Sequence, residues 1–312
     1  MDSESISIVV PVFNELGNLR ELYGRLSAVL KTEGAEFELL YVDDGSSDGS
    51  LDLLLELQGA DPRIRVLELS RNFGHQMALA AGLEHASGDA VVMMDSDLQH
   101  PPELIPEMAA KWREGYEVVS AIRQETMGVG LWKNLTSRFF YFFFRRLSDV
   151  QVPPGSAEFR LLDRRVVDSL KEMPERALFL RGMVHWVGFR HAEVFYNAGP
   201  RTKESGKYSA LRMARLALDG ITSFSSLPLY LAAFAGCVLS SIGFLYALYA
   251  LYARLFTDRV VEGWASVLIA VLVLGGGQLI ALGVIGAYLA RIYDEVKRRP
   301  RYLVRREHAV RR

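Results

Sequence analysis

The chain has 312 residues, half of them hydrophobic, with 36 Lys and Arg against 37 Asp and Glu for a formal net charge of −1. That length accommodates one large domain and an appendage, and the near neutrality gives no reason to expect a nucleic-acid partner. A single cysteine, Cys237, excludes an internal disulfide and a cysteine-based zinc cluster, and it suits a reducing compartment.

The start, MDSESISIVV, lacks a basic segment followed by an apolar stretch and a small-residue cleavage site, so no cleaved signal peptide is expected. From Ser5 to about Gln124, apolar β-branched runs alternate with helical patterns. SISIVVPVF predicts a strand and leads to a helix ending near Lys31. FELLYVDD predicts a second strand with a helix to about Gly59, and IRVLELS a third with the helix GHQMALAAGLEHA. The strand DAVVMMD, the helix PPELIPEMAAKW and the strand EVVSAIR complete the series. Strands so continuous in hydrophobics, separated by helices, predict a Rossmann-like α/β domain with a parallel sheet covered on both faces. Ligands of such sheets bind beyond the carboxyl ends of the strands.

Three of those ends are unusually polar: PVFNE at 11–15, DDGSSDGS at 43–50 and DSDLQH at 95–100. The glycine fingerprint GxGxxG is absent after the first strand, which argues against a nicotinamide or flavin enzyme. Asp43 or Asp44 can accept hydrogen bonds from a base or ribose; an Asp-Gly-Ser turn capping the next helix would use them equally well. In DSDLQH, the carboxylates of Asp95 and Asp97 and the amide oxygen of Gln99 can face one point. Hard oxygen ligands of this kind suit Mg²⁺ or Mn²⁺, which also takes oxygens from a diphosphate and neutralises it as it departs. Capping the helix that opens at Pro101 and Pro102 would need only one of the two acids.

Residues 131–147, LWKNLTSRFFYFFFRRL, set six consecutive aromatics between basic residues. The segment is too apolar for a solvated helix and too short to span a membrane, and it predicts an interfacial helix in the headgroup layer. GPRTKESGKYS, at 199–209, is a glycine-containing cationic loop suited to clamping phosphates or to linking domains. No charge occurs between Gly220 and Ala253, and Trp264 to Ala290 repeats the pattern; each run exceeds the roughly 20 residues that cross a bilayer as a helix. The short connection FTDRVVEG makes a hairpin, and the last sixteen residues hold eight Lys or Arg. Basic excess at the membrane ends places both termini in the cytoplasm of a multi-pass protein of the cell inner membrane. Small residues four apart, among them Ala232, Gly236 and Ser240, and Gly277 with Ala281, allow close helix packing and association between copies; Gln278 is read as an interhelical hydrogen-bond partner. The expected organisation is a catalytic domain over 1–210, a juxtamembrane segment over 211–226, membrane helices over 227–255 and 264–290, and a basic cytoplasmic tail over 291–312.

The segments IVVPVFNELGNL, YVDDGSSDGS, SRNFGHQMALAAGLEHASGDAVVMMDSDLQHPPE and EFRLLDRRVVDSL, followed by two apolar spans, resemble the polyisoprenyl-phosphate glycosyltransferases of the GT-A, family 2 type over almost the whole chain. The resemblance implies a metal site at Asp95, Asp97 and Gln99. Pro11, Asn14, Glu15 and Asp43 would line the nucleotide pocket, joined by Asp44, Arg71 and Asp95. Arg123, Arg201 and Lys207, with Lys133, would meet phosphates of the donor or lipid, and Asp97, Glu158 and Arg123 would form the catalytic set. Where the family commonly has Gly-Asp-Phe-Arg, this chain has Ala157, Glu158, Phe159 and Arg160, so the acid is kept and lengthened by one methylene. The implied reaction passes a sugar, with inversion, from a UDP- or GDP-linked donor to an undecaprenyl or dolichyl phosphate at the cytoplasmic face. The alternatives are a hydroxyl acceptor, which would demand a true general base, and a non-catalytic membrane scaffold.

Overall fold

A computed structural model describes residues 4–31, 36–123, 156–173, 175, 180–196, 227–256 and 263–308. The expected interfacial helix over 131–147 and the cationic loop over 199–209, with Lys133, Arg201 and Lys207, lie outside them. The chain divides into two compact units, one comprising Met1–Arg145, Val150–Lys207 and Arg299–Arg312, the other Arg146–Asp149 and Tyr208–Arg298.

In the first unit the elements run β1 (Ser5–Val12), α1 (Leu16–Leu30), β2 (Glu36–Asp43), α2 (Ser50–Ala60), β3 (Ile64–Leu69), α3 (His75–His85), β4 (Ala90–Met93), α4 (Ile105–Arg113), β5 (Val118–Arg123), β6 (Ser156–Asp163), α5 (Arg164–Lys171), α6 (Leu180–Trp186), β7 (His191–Tyr196) and, at the C-terminal end, β8 (Val304–His308). They build one eight-stranded sheet in the order β7-β5-β6-β4-β1-β2-β3-β8. The predicted parallel sheet is present as β3-β2-β1-β4. The whole sheet is mixed, however, because β6 runs antiparallel between β4 and β5, and β8 runs antiparallel along β3. EVVSAIR is a strand as expected but does not neighbour β4. The order β2-β1-β4 puts a topological switch at β1, the position where open α/β sheets bind ligands.

Alternation along β1 explains the layers. Ile6, Ile8, Val10 and Val12 pack on one face against Leu19, Leu22 and Leu26 of α1, Leu54 of α2 and Met108 of α4. Val9, with Leu40 and Val42 of β2, faces Ala78 and Leu79 of α3 and Val166 and Val167 of α5. The side-chain period of two therefore sends neighbouring residues into two different cores. Gly82 lets α3 approach β1, since a Cβ there would sit 2.2 Å from Val9 Cγ1.

The basic C-terminal segment is built into this sheet. Arg305 Nη1 donates to Glu68 Oε1 at 3.0 Å, His308 Nε2 lies 3.2 Å from Glu68 Oε2, and Arg65 pairs with Glu307. Its charges thus satisfy a neighbouring strand and protect an edge that would otherwise be open.

The second unit contains α7 (Leu227–Phe256) and α8 (Trp264–Val296), which pack against each other. Leu229–Tyr249 and Val273–Val296 have mean hydropathies of 2.0 and 1.7 and are long and apolar enough to cross a membrane. Large side chains such as Phe234, Leu245, Leu279 and Ile280 are exposed along them, as apolar solvent requires. Of the small residues singled out, Gly277 lies against α7, where a Cβ would meet Leu239 Cδ1 at 3.3 Å; Gly236 and Gly283 face open space.

Candidate functional site

The carboxyl ends of β1, β2, β3 and β4 open on a cleft of about 400 Å³ lined by Pro11, Val12, Phe13, Glu15, Asp44, Asn72, Gly74, His75, Ala78, Asp95, Ser96 and Asp97. All three polar strand ends found in the sequence contribute to it, and the turn after β3 adds a fourth.

The loop after β2 braces the loop after β1. Ser47 N–H donates to Asn14 Oδ1 at 2.8 Å, and Asn14 N–H to Ser46 Oγ at 3.1 Å. Leu16 N–H donates to Asp48 Oδ2 and Glu15 N–H to Ser50 Oγ, each at 3.1 Å, so donors at the start of α1 are satisfied from another loop. Asn14 (φ 57°) and Leu98 (φ 65°) are left-handed, which Asn tolerates and Leu holds only under constraint, and they stand beside the polar ends of β1 and β4.

Asp43 and Asp44 differ. Asp43 is buried, receives the Ser46 N–H at 3.3 Å and is not among the residues lining the cleft. Asp44 lines it, yet its two oxygens accept the backbone N–H groups of Phe73 (2.7 Å) and Gly74 (2.9 Å), fixing the turn that starts α3. Burial pushes both carboxyls above their usual range, against these hydrogen bonds. Gly45 (φ +75°) permits the contact, because a Cβ would lie 2.8 Å from the backbone of Arg71 and Asn72. Arg71 stacks over Phe73 at 4.1 Å and stays outside the lining set.

Asp95 and Asp97 both line the mouth of the cleft. Asp95 Oδ1 takes a 2.7 Å hydrogen bond from His75 Nε2. Its Oδ2 lies 3.6 Å from His100 Nδ1, but that nitrogen accepts the Asp95 backbone N–H at 2.9 Å, so His100 presents a lone pair there and is neutral. Burial lowers the His100 pKa and agrees with this form, while its ring stacks on Phe159 at 5.2 Å. Burial opposes the charge on Asp95, yet the His75 bond and nearby positive groups hold its carboxyl below the usual range. Asp97 Oδ1 accepts the Gln99 N–H at 3.0 Å. Gln99 therefore enters through its backbone, and its side chain is not among the lining residues.

Among the described residues no three or more His, Cys, Asp or Glu side chains are grouped to hold a metal on their own. Two carboxylates at the mouth of the cleft fit a hard divalent cation, whose remaining ligands would be oxygens from phosphate and water. His75, bonded to Asp95, is the kind of partner that orients such a ligand.

Glu158 lies on β6, outside the residues that line the cleft. It is 5% exposed, and its Oε1 accepts Arg181 Nε at 2.8 Å and Gln76 Nε2 at 3.2 Å. Arg160 is fully buried, and burial brings its pKa down to about 10, opposed by Glu158. Arg123 ends β5 in register with Tyr196 of β7 and is outside the lining set. His75, Gln76, His100 and Arg181 carry much of the geometry, and none was assigned a role from the sequence. A histidine directly following a strand-end turn, as in SRNFGHQ, was the available signal for His75.

Residues 7–171 match the model of glycosyl transferase family 2. An uncharacterized glycosyltransferase, YkcC, of Bacillus subtilis (strain 168) is 45% identical over 97% of this chain and 94% of its own. The bactoprenol glucosyl transferase of Shigella phage SfII is 39% identical over 97% and 98% respectively. Among solved structures, mannosyl-3-phosphoglycerate synthase from Rubrobacter xylanophilus aligns over 83% of this chain and 78% of its own, with 17% identity and a TM-score of 0.47.

Proposed function

For a chain that belongs to glycosyl transferase family 2, we propose that the reaction is transfer of a sugar from a nucleotide diphosphate sugar to a polyprenyl phosphate at the cytoplasmic face of a membrane. The observation that carries this reading is the Asp95–Asp97 mouth of a nucleotide-sized cleft in a chain that also bears two long apolar helices. End-to-end similarity to a protein named bactoprenol glucosyl transferase supports the acceptor class.

The nucleotide would lie over the ends of β1 and β2, against Pro11, Glu15 and the turn that Asp44 braces. Asp95 and Asp97 would hold Mg²⁺ or Mn²⁺, which supplies charge neutralisation to the leaving diphosphate. A lipid phosphate oxygen attacks the anomeric carbon; the bond from that carbon to the diphosphate oxygen breaks, and the nucleoside diphosphate leaves with the electron pair. A phosphate monoester loses its second proton at a pKa of about 6, so no proton has to be removed during attack. Glu158, both buried and engaged by Arg181, fits a group that holds a cation better than one that strips a hydroxyl. Catalysis then rests on positioning and on charge stabilisation.

The sheet also supports a topology. β8 follows both apolar helices and pairs with β3, which supports the reading that the C-terminal strand and the catalytic unit would share one side of a membrane crossed by the hairpin. A cysteine at Asp258, in a chain lacking Cys237, should react with an impermeant reagent from the outer side alone. Membranes given radiolabelled UDP- and GDP-sugars with undecaprenyl phosphate should yield an acid-labile, organic-soluble product. Label confined to water-soluble or protein fractions would overturn the proposed acceptor.

A further inference from the structure

Glu158 and Arg181 form an ion pair of unequal depth: the Glu158 side chain is 6% exposed and that of Arg181 is 39% exposed. Isolated buried carboxylates are costly, so the pairing accounts for the charge of Glu158. It does not account for the rest of the guanidinium. An arginine carries five N–H donors in a rigid fork, and in this ion pair Glu158 takes the one at Nε. The Nη donors lie at the other end of the fork.

The bond network fixes the Nε end of that fork, on a residue just outside the set that lines the cleft. Gln76 Nε2 donates to the same Glu158 oxygen at 3.2 Å, while Gln76 Oε1 accepts the N–H of Leu180, the residue before Arg181, at 3.2 Å. Gln76 thus ties the first turn of α6 to β6. Its chain neighbour, His75, bonds Asp95 at 2.7 Å. Two adjacent residues of α3 therefore connect the acid at the end of β4 with the arginine that opens α6.

We propose that Arg181 is a phosphate-binding residue of this site, contacting an oxygen of the donor diphosphate or of the acceptor phosphate through its Nη donors, and that Glu158 and Gln76 are positioning residues that aim it. A guanidinium fork suits phosphate geometry, and one held at Nε loses less freedom on binding than a mobile lysine. This rests on the reading that both phosphates meet in the cleft.

The test uses the full chain in detergent or nanodiscs and the variants Arg181→Gln, Glu158→Gln and the double replacement. One arm titrates UDP and GDP against uridine and guanosine; the other measures KM for undecaprenyl phosphate separately from kcat. Arg181→Gln should weaken the phosphate-bearing ligand of one arm at least about tenfold, the loss of a charge-assisted hydrogen bond, with nucleoside affinity unchanged. Glu158→Gln should weaken the same ligand less. The double variant removes both charges of the buried pair, so it keeps the test usable if Arg181→Gln misfolds. It should remain as weak as the single arginine variant. Recovery of wild-type affinity in the double variant would show that Arg181 only neutralises Glu158, and unchanged values in both arms would overturn the proposal as well. A wild-type chain that binds nucleotide but forms no lipid-linked product would instead refute the proposed function and leave the nucleotide arm standing.

Discussion

Asp44→Asn separates a nucleotide contact from a structural brace at one position. In the wild type, one carboxylate receives two backbone N–H groups, from Phe73 at 2.7 Å and Gly74 at 2.9 Å. Asn keeps one acceptor and turns an NH₂ toward the other N–H, so one charge-assisted bond is lost and two donors oppose each other. Hydrogen bonds to charged groups contribute about 1.5–3 kcal/mol. For a domain of this size each kcal/mol moves Tm by about 2–4 °C, so the catalytic unit should melt about 3–12 °C lower. The loss should appear without any nucleotide present, because the braced turn belongs to the folded chain. Differential scanning fluorimetry of both proteins, with and without UDP or GDP, reads it directly. An unchanged Tm in the free protein together with a large loss of nucleotide affinity would refute the brace and make Asp44 a direct contact.

Glu38 offers a pH test. Burial opposes its charge, but hydrogen bonds from Ser7 and Ser87 and the Arg65 guanidinium outweigh it and hold the carboxyl below the usual range. A depressed carboxyl stabilises the fold above its unfolded pKa of about 4.3, and that contribution is lost as pH falls through the folded value. Tm of the wild type should therefore fall more steeply below about pH 4.3 than that of Glu38→Gln, which starts lower at pH 7; parallel curves would contradict it. Gly82→Ala should cost about 1–3 kcal/mol by overpacking against Val9, measured as a lowered Tm; an unchanged Tm would mean that α3 moves freely. Ending the chain after Arg299 removes β8 and bares the β3 edge, and should lower Tm and promote aggregation while leaving the chain in the membrane fraction.

Much of the domain was legible because its signals are local. The alternation of β1, β2 and β3 with helices, the acids at the end of β4 and the two uncharged runs are all short-range patterns. Strand order is not local. That β6 would insert antiparallel between β4 and β5 depends on partners far apart in the chain, and nothing in EFRLLD states a neighbour. The partners of the C-terminal segment are equally non-local: its basic residues read as a cytoplasmic tail, and that Arg305 pairs with Glu68 and Arg301 with Glu84 depends on carboxylates far earlier in the chain. Side-chain commitments were hidden in the same way. DDGSS reads as two interchangeable acids until Asp43 is seen on Ser46 and Asp44 on the turn after β3. Arg181 had no signal at all, since its meaning comes from Glu158, 23 residues earlier.

The most direct test of the central claim is transfer by the purified full chain to undecaprenyl phosphate and to undecaprenol in parallel, with the Asp97→Asn variant beside the wild type. Product should form from the phosphate alone, require Mg²⁺ or Mn²⁺, and nearly vanish in a folded, membrane-bound Asp97→Asn protein. Equal transfer to the free alcohol, or full activity of the Asp97 variant in excess EDTA, would contradict it.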